Sequence, residues 1–238
     1  FKTLNEMVRT QARTRGDAGT AVRIYRKALE IEPENPRLHL NLGVSQSQSG
    51  GFADAVVSLR RSLELEPRQP LAQVNLGIAL SSQGDKAGAE AAYRRALQLN
   101  AHEPLAWFNL GNIYFEQGKP AEAQDAYQRA VASDPSLPVA HFYLARILAS
   151  RGELTRALEL LTETMHGDRA FAEANLGLVD AATNNHAAAL LHYDRASAIY
   201  ASTIGDTAAA SIRVHLDRAR SLAALGRREQ ARASATKA

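Results

Sequence analysis

A 34-residue spacing constrains this chain more than any other feature. Pro36, Pro70, Pro104 and Pro138 mark it. The tripeptide Asn-Leu-Gly keeps the same interval at Asn41, Asn75 and Asn109, and returns at Asn175 after two further intervals less two residues. A period of this size means that each unit is one supersecondary element, too small to bury its apolar face alone, so that neighbouring units must stack.

With each proline as position 1, position 7 is Leu42, Leu76, Leu110 and Leu144, and position 8 is Gly43, Gly77, Gly111 and Ala145. Position 15 is Gly50, Gly84, Gly118 and Gly152. Position 20 is Ala55, Ala89, Ala123 and Ala157, and position 24 is Leu59, Tyr93, Tyr127 and Leu161. A proline at the first helical position loses no helix bond, because its missing N–H would be unpaired anyway. Glycine near position 15 suits a left-handed residue that ends the first helix. Small residues at positions 8 and 20 let two helices approach, and the large ones at 7 and 24 fill the space between them. Between these marks apolar residues recur at helical spacing, as in Ala91, Ala92, Ala96, Leu97 and Leu99. No alternating pattern argues for a strand. Each unit is expected to be two antiparallel helices joined by a short turn.

This pattern resembles the tetratricopeptide repeat (TPR), W-x2-L-G-x2-Y-x8-A-x3-F-x2-A-x4-P. The unit from Pro104 carries Trp107, Leu110, Gly111, Tyr114, Ala123, Tyr127, Ala130 and Pro135, with Tyr in place of Phe. The resemblance implies an all-α fold, a right-handed α-solenoid superhelix of tandem helix-turn-helix repeats. The expected organisation is a single solenoid over 1–238, with repeats at about 2–35, 36–69, 70–103, 104–137, 138–169 and 170–203. A capping helix pair is expected at about 212–238. The first repeat keeps Gly16, Ala21, Tyr25, Ala28 and Pro33, but its first helix is degenerate. In the repeat from about Ala170 the turn glycine is replaced by Asn184, which also tolerates left-handed geometry. The stretch from Ala201 to Ser211 reads as an extended inter-repeat turn. The last helix is polar nearly all round, as the exposed end of a stack requires.

In this family positions 2, 5, 6, 9, 12 and 13 of the first helix face a concave groove. The resemblance therefore implies a row of apolar and aromatic side chains there: Leu40, Val74, Phe108 and Phe142 at position 5, Val44 and Ile78 at position 9, and Phe115 at position 12. Asn112 and Arg146 also fall at position 9. Position 6 holds Asn41, Asn75, Asn109, Tyr143 and then Asn175. An amide offers donors and an acceptor, so it can match a peptide backbone without reading sequence. Stacked helices lie roughly 10 Å apart, and an extended peptide advances about 3.3 Å per residue. One Asn per repeat would hold about every third residue. The row is similar to the asparagine ladder in the superhelix of O-linked N-acetylglucosamine transferases, whose catalytic domain has no counterpart in this chain. The carboxylate clamp of chaperone-binding members is not expected, because position 5 is apolar throughout.

No set of residues argues for catalysis. The seven histidines form no HExxH and no close pair, and there is no cysteine to make a disulfide or a thiolate metal site. His39 and His141 share position 4 with Trp107, so packing between helices is their expected role. Phosphate-loop and nucleophile-turn patterns are missing. No cofactor is expected. No apolar run reaches the length of a membrane span. The net charge of +3 is concentrated from Ile212 onward, where seven basic side chains face two acidic ones. Aromatic residues are missing from that end, so nucleic acid is not an expected partner. A start at Phe1 rather than Met reads as a fragment or trimmed product, from a bacterial cytoplasm or periplasm.

The expected function is non-catalytic: a scaffold whose concave groove binds an extended segment of another protein. Two alternatives belong to other classes. One is an adaptor region of a larger enzyme or of a bacterial exopolysaccharide secretion machine. The other is a homo-oligomer assembled through convex or end faces.

Overall fold

The structure, a computed structural model, describes residues 18–164, 169–203 and 209–237. The expected first helix of the first repeat lies outside them. Among the described residues there are thirteen helices and no strand. The chain divides into two compact units, Phe1–Ser133 and Asp134–Ala238.

The first unit holds α1 (Ala18–Ile31), α2 (Pro36–Gln48), α3 (Phe52–Leu65), α4 (Pro70–Ser82), α5 (Lys86–Leu99), α6 (Pro104–Glu116) and α7 (Pro120–Ser133). The second holds α8 (Pro138–Ser150), α9 (Leu154–Thr164), α10 (Arg169–Ala182), α11 (His186–Thr203), α12 (Ala209–Ala224) and α13 (Arg228–Ala235). Four helices thus begin at the periodic prolines. Asn35 adds a side-chain cap to the first of them, its Oδ1 accepting from the amides of Arg37 at 3.0 Å and Leu38 at 3.3 Å. The final helix pair starts at Ala209 rather than near Ile212, and α11 runs on to Thr203. Residues 204–208 of the expected extended turn lie outside the described residues.

The turns inside the pairs are alike. Gly50, Gly84, Gly118, Gly152 and Gly226 have φ between 70° and 87°, and Asn184 takes their place at 63°. Each donates its amide to the carbonyl three residues back, as Gly84 does to Ser81 at 2.9 Å. The next residue donates to the carbonyl five back, as Asp85 does to Leu80 at 2.9 Å. These are Schellman bonds, which occupy carbonyls that the helix end would otherwise leave unpaired. Asp85 then caps α5 by accepting from the Gly88 amide at 2.8 Å. One residue closes the first helix and opens the second, so the two run antiparallel at close range.

That range is set at position 8. A Cβ on Gly111 would lie 2.5 Å from the Tyr127 ring, one on Gly177 2.5 Å from Tyr193, and one on Gly43 2.6 Å from Leu59. Gly77 stands in the same relation to Tyr93. The facing side chains are almost wholly buried. Each pair then packs on the next through its second helix, α3 on α4 and α5 on α6. First helices of successive pairs also touch: α2 with α4 and α4 with α6 in the first unit, α8 with α10 and α10 with α12 in the second. A continuous face of first helices results in each unit. The final helix, α13, buries only Ser234, whose hydroxyl donates to the His215 carbonyl at 3.0 Å.

Candidate functional site

The first-helix face is the candidate site. Open apolar side chains recur at position 2, in the first turn of the helix: Leu71 is 52% exposed, Leu105 37%, Val139 38% and Phe171 40%, and at position 5 of α12 Leu216 is also exposed. Phe115, near the other end of α6, is 40% exposed. Position 2 was among the groove positions that the family implies, yet the apolar row read from the sequence ran through positions 5, 9 and 12. The signal was available in the same frame, as Leu71, Leu105, Val139 and Phe171 recur once per repeat.

The expected row is more unequal than its spacing suggests. Leu40, Val44, Ile78, Phe108 and Phe142 are half-buried. Val74 has no exposed surface at all and belongs to the core of the first unit. It cannot present a contact to a partner, which corrects that expectation. The Phe108 ring rests against Tyr127, centroids 5.9 Å apart. Asn112 accepts from the Tyr127 hydroxyl at 2.8 Å. Its oxygen therefore satisfies a tyrosine that would otherwise be buried with a polar end unmatched. Where Tyr143 interrupts the asparagines, its ring meets Phe142 edge-on at 5.6 Å and carries the Arg146 guanidinium 4.6 Å from its centroid. Tyr143 and Arg146 thus form one cationic–aromatic pair.

The asparagines of position 6 share one arrangement. Asn75 Nδ2 donates to the Leu71 carbonyl at 2.8 Å, Asn109 to Leu105 at 2.8 Å, and Asn175 to Phe171 at 2.9 Å. Each amide is tied to its own helix one turn back. One N–H is used there, and the oxygen points away from the carbonyl that the nitrogen holds. Asn41, at the same position of α2, is half-buried.

Position 4 ties the helix face to the turn before it. The ring nitrogens of His39, Trp107 and His141 reach the carbonyls of Pro33, Ala101 and Pro135, each six residues back, at 2.8, 2.8 and 3.0 Å. The histidines expected to pack between helices also hold the inter-repeat turn. Arg129 covers the Trp107 ring at 4.8 Å.

At position 4 of α10 stands Glu173, which is buried, as is Asp180 two turns later. His192 of α11 lies between them, with Nδ1 2.7 Å from Glu173 Oε2 and Nε2 3.4 Å from Asp180 Oδ2. Arg195 and Arg169 approach Glu173 at 3.8 and 4.0 Å. Burial pushes the Asp180 carboxyl above its ordinary range, and the His192 charge pulls it part of the way back. Acids seven residues apart on one helix share a face, but their sequence gave no sign that this face is turned inward. Among the described residues no group of three or more His, Asp or Glu is placed to hold a metal ion. No described helix is long and apolar enough to cross a membrane.

Comparison with known proteins agrees with this architecture. A family profile described as tetratricopeptide repeat matches residues 40–104, 83–138 and 108–167. A second, described as TPR repeat, matches 13–50, and a third tetratricopeptide repeat profile matches 212–235. No curated protein matches the chain. Among solved structures, MamA is 26% identical with a TM-score of 0.58, over 71% of this chain and 96% of that one. YrrB, described as a TPR protein with an unusual peptide-binding site, is 24% identical with a TM-score of 0.55, over 76% and 94%. A tetratricopeptide repeat protein from Parabacteroides merdae is 17% identical with a TM-score of 0.71, over 97% and 90%. The last two likenesses concern the fold alone. The periodic prolines, the left-handed turns, the glycine–tyrosine contacts and the profile matches lead to one assignment: this chain belongs to the tetratricopeptide repeat family.

Proposed function

We propose that the chain is a non-catalytic interaction scaffold, and that its first-helix faces hold an extended segment of another protein. One observation carries this reading: large apolar side chains stand open at position 2 in four repeats, Leu71 and Leu105 in the first unit, Val139 and Phe171 in the second. Apolar surface that recurs along one face marks a place where a partner displaces water. Membership of the tetratricopeptide repeat family supports the same reading.

The half-buried Leu40, Val44, Ile78, Phe108 and Phe142 and the exposed Phe115 extend the apolar face. Asn75, Asn109 and Asn175 offer it acceptor oxygens suited to the N–H groups of a peptide backbone, with Asn41 at the equivalent place in α2. In this arrangement the apolar row supplies affinity and the amides supply register. Because the amide nitrogens are already bonded, the asparagines matter less than a ladder using both ends of each amide would require.

The test is a selection of short random peptides on the whole chain, followed by titration of the best binder. Leu71→Asp with Leu105→Asp, or Val139→Asp with Phe171→Asp, should weaken binding by about tenfold or more, equivalent to about 1.4 kcal/mol. Asn75→Ala with Asn109→Ala should cost less, with the melting temperature little changed in each case. Binding that survives both pairs of aspartates would defeat the proposal.

A further inference from the structure

The second unit contains a pocket that narrows the choice of partner. It occupies about 290 Å³ and opens on the first-helix face. Its walls are Val139 and Phe142 of α8, Phe171 and Leu178 of α10, Tyr200 of α11 and Val214 of α12. That volume lies at the low end of the roughly 300–1,000 Å³ typical of small-molecule sites. It suits one large side chain better than a whole cofactor. Because the walls are apolar, that side chain must be aromatic or long aliphatic.

The rim is polar and carries Arg213 and Asp217. Asp217 is buried, and its Oδ1 accepts from Arg220 Nη1 at 2.7 Å. Its Oδ2 lies 3.9 Å from Arg213 Nε. The Arg213 and Arg220 side chains are 79% and 80% exposed. Asp217 is thus bonded to Arg220, which is not part of the pocket wall, and the Arg213 guanidinium, which is, stays turned to solvent. In the repeat frame Arg213 and Asp217 stand at positions 2 and 6 of α12, the places held by Phe171 and Asn175 in α10. The apolar row therefore ends in a cation, while the amide row ends in the carboxylate that orients it. Asn175 also lines the pocket, its amide nitrogen held by the Phe171 carbonyl.

We propose that this pocket receives an aromatic or long aliphatic side chain of a partner protein, with an acidic residue two positions further along that chain meeting Arg213. An extended chain advances about 3.3 Å per residue and turns every second side chain to the same face, so that carboxylate reaches the rim while the apolar side chain fills the hole. A basic residue in its place would face the Arg213 guanidinium and be rejected. The inference rests on the first-helix faces being protein-binding, and it adds the chemistry of what the second unit selects.

The test uses three fluorescein-labelled peptides on identical Gly/Ser flanks, with central Phe-Ser-Glu, Phe-Ser-Lys or Ala-Ser-Glu (the Phe-Glu, Phe-Lys and Ala-Glu peptides), titrated by anisotropy against the whole chain. Phe-Glu should bind about tenfold or more tightly than either of the others, and its advantage over Phe-Lys should shrink with added salt. Ala174→Trp, which fills the pocket from the α10 side, should remove the preference for Phe over Ala. Arg213→Gln should remove the preference for Glu over Lys and leave the preference for Phe. Circular dichroism of each variant confirms folding, and the two variants fail independently. Equal binding of Phe-Glu and Phe-Lys by the native chain, or a preference for Phe that survives Ala174→Trp, would overturn the assignment. If selected peptides bind and only Leu71→Asp with Leu105→Asp weakens them, the scaffold reading stands and this inference falls. If no peptide binds the native chain, both fall.

Discussion

At the scale of single residues, the glycine at position 8 governs how closely a helix pair can close. Alanine is the better helix former by about 1 kcal/mol, so helix propensity alone favours Gly77→Ala. Packing opposes it, because the new Cβ would collide with the Tyr93 ring, which is buried. Overpacking of this kind costs about 1–3 kcal/mol, so packing should win, and the variant should lose stability. At about 2–4 °C per kcal/mol for a chain of this size, thermal melting should show a drop of a few degrees. The sequence itself suggests the remedy. The repeat with alanine at position 8, Ala145, carries Leu161 where the repeats of Gly77, Gly111 and Gly177 carry tyrosine, and both are fully buried; leucine also faces a glycine, as Leu59 faces Gly43. Adding Tyr93→Leu to Gly77→Ala should therefore recover part of the loss. A double variant that melts no higher than Gly77→Ala alone would mean that the contact does not set the helix spacing.

At the scale of helices, much was legible because the same marks recur in register. Proline starts, left-handed turns and small-against-large contacts act on backbone geometry, which the period repeats whatever surrounds it. What one side chain does on the face depends on its neighbours, and spacing does not report those. Val74 lies at the same position as the half-open Leu40 yet is wholly covered, and Asn112 is taken up by Tyr127. The amides of Asn75, Asn109 and Asn175 turn back on their own helices, a choice of rotamer that no pattern encodes. The contact between α10 and α11 was also hidden, since acids on a helix face usually lie in water. There the buried Asp180 has its carboxyl raised, mainly by burial, against a smaller pull from His192. A raised folded value means that Asp180 favours the fold while it is protonated. That contribution is present below the unfolded value of about 3.9 and is lost as pH rises through the folded value. At neutral pH the ionised carboxylate is a liability. Asp180→Asn should therefore melt higher than the native chain at neutral pH, and the gap should close below about pH 4, as the carboxyl becomes neutral in both states. Scanning calorimetry across that range would show it, and a gap that widens in acid would contradict the burial argument.

At the scale of the whole molecule, contacts join each helix chiefly to its sequence neighbours, within the pair and to the next pair. Stability in such an array is close to a sum of repeat terms and nearest-neighbour interface terms, unlike a globule whose single core spreads any insult everywhere. A destabilised repeat should therefore open locally before the array unfolds. Gly77→Ala supplies the test, because its damage lies between α4 and α5. Native-state hydrogen exchange of that variant should show faster exchange in α4 and α5 and a smaller change in α3 and α6. Amides of α10 and α11 should keep the protection they have in the native chain, since those helices belong to the other compact unit. The local response also bears on function. If segments of a partner dock repeat by repeat, loss of order in α4 and α5 should weaken contacts made through Leu71 and leave those made through Phe171. Equal acceleration of exchange in all the helices would show instead that the chain opens as one cooperative body, and the additive picture of both stability and docking would have to be abandoned.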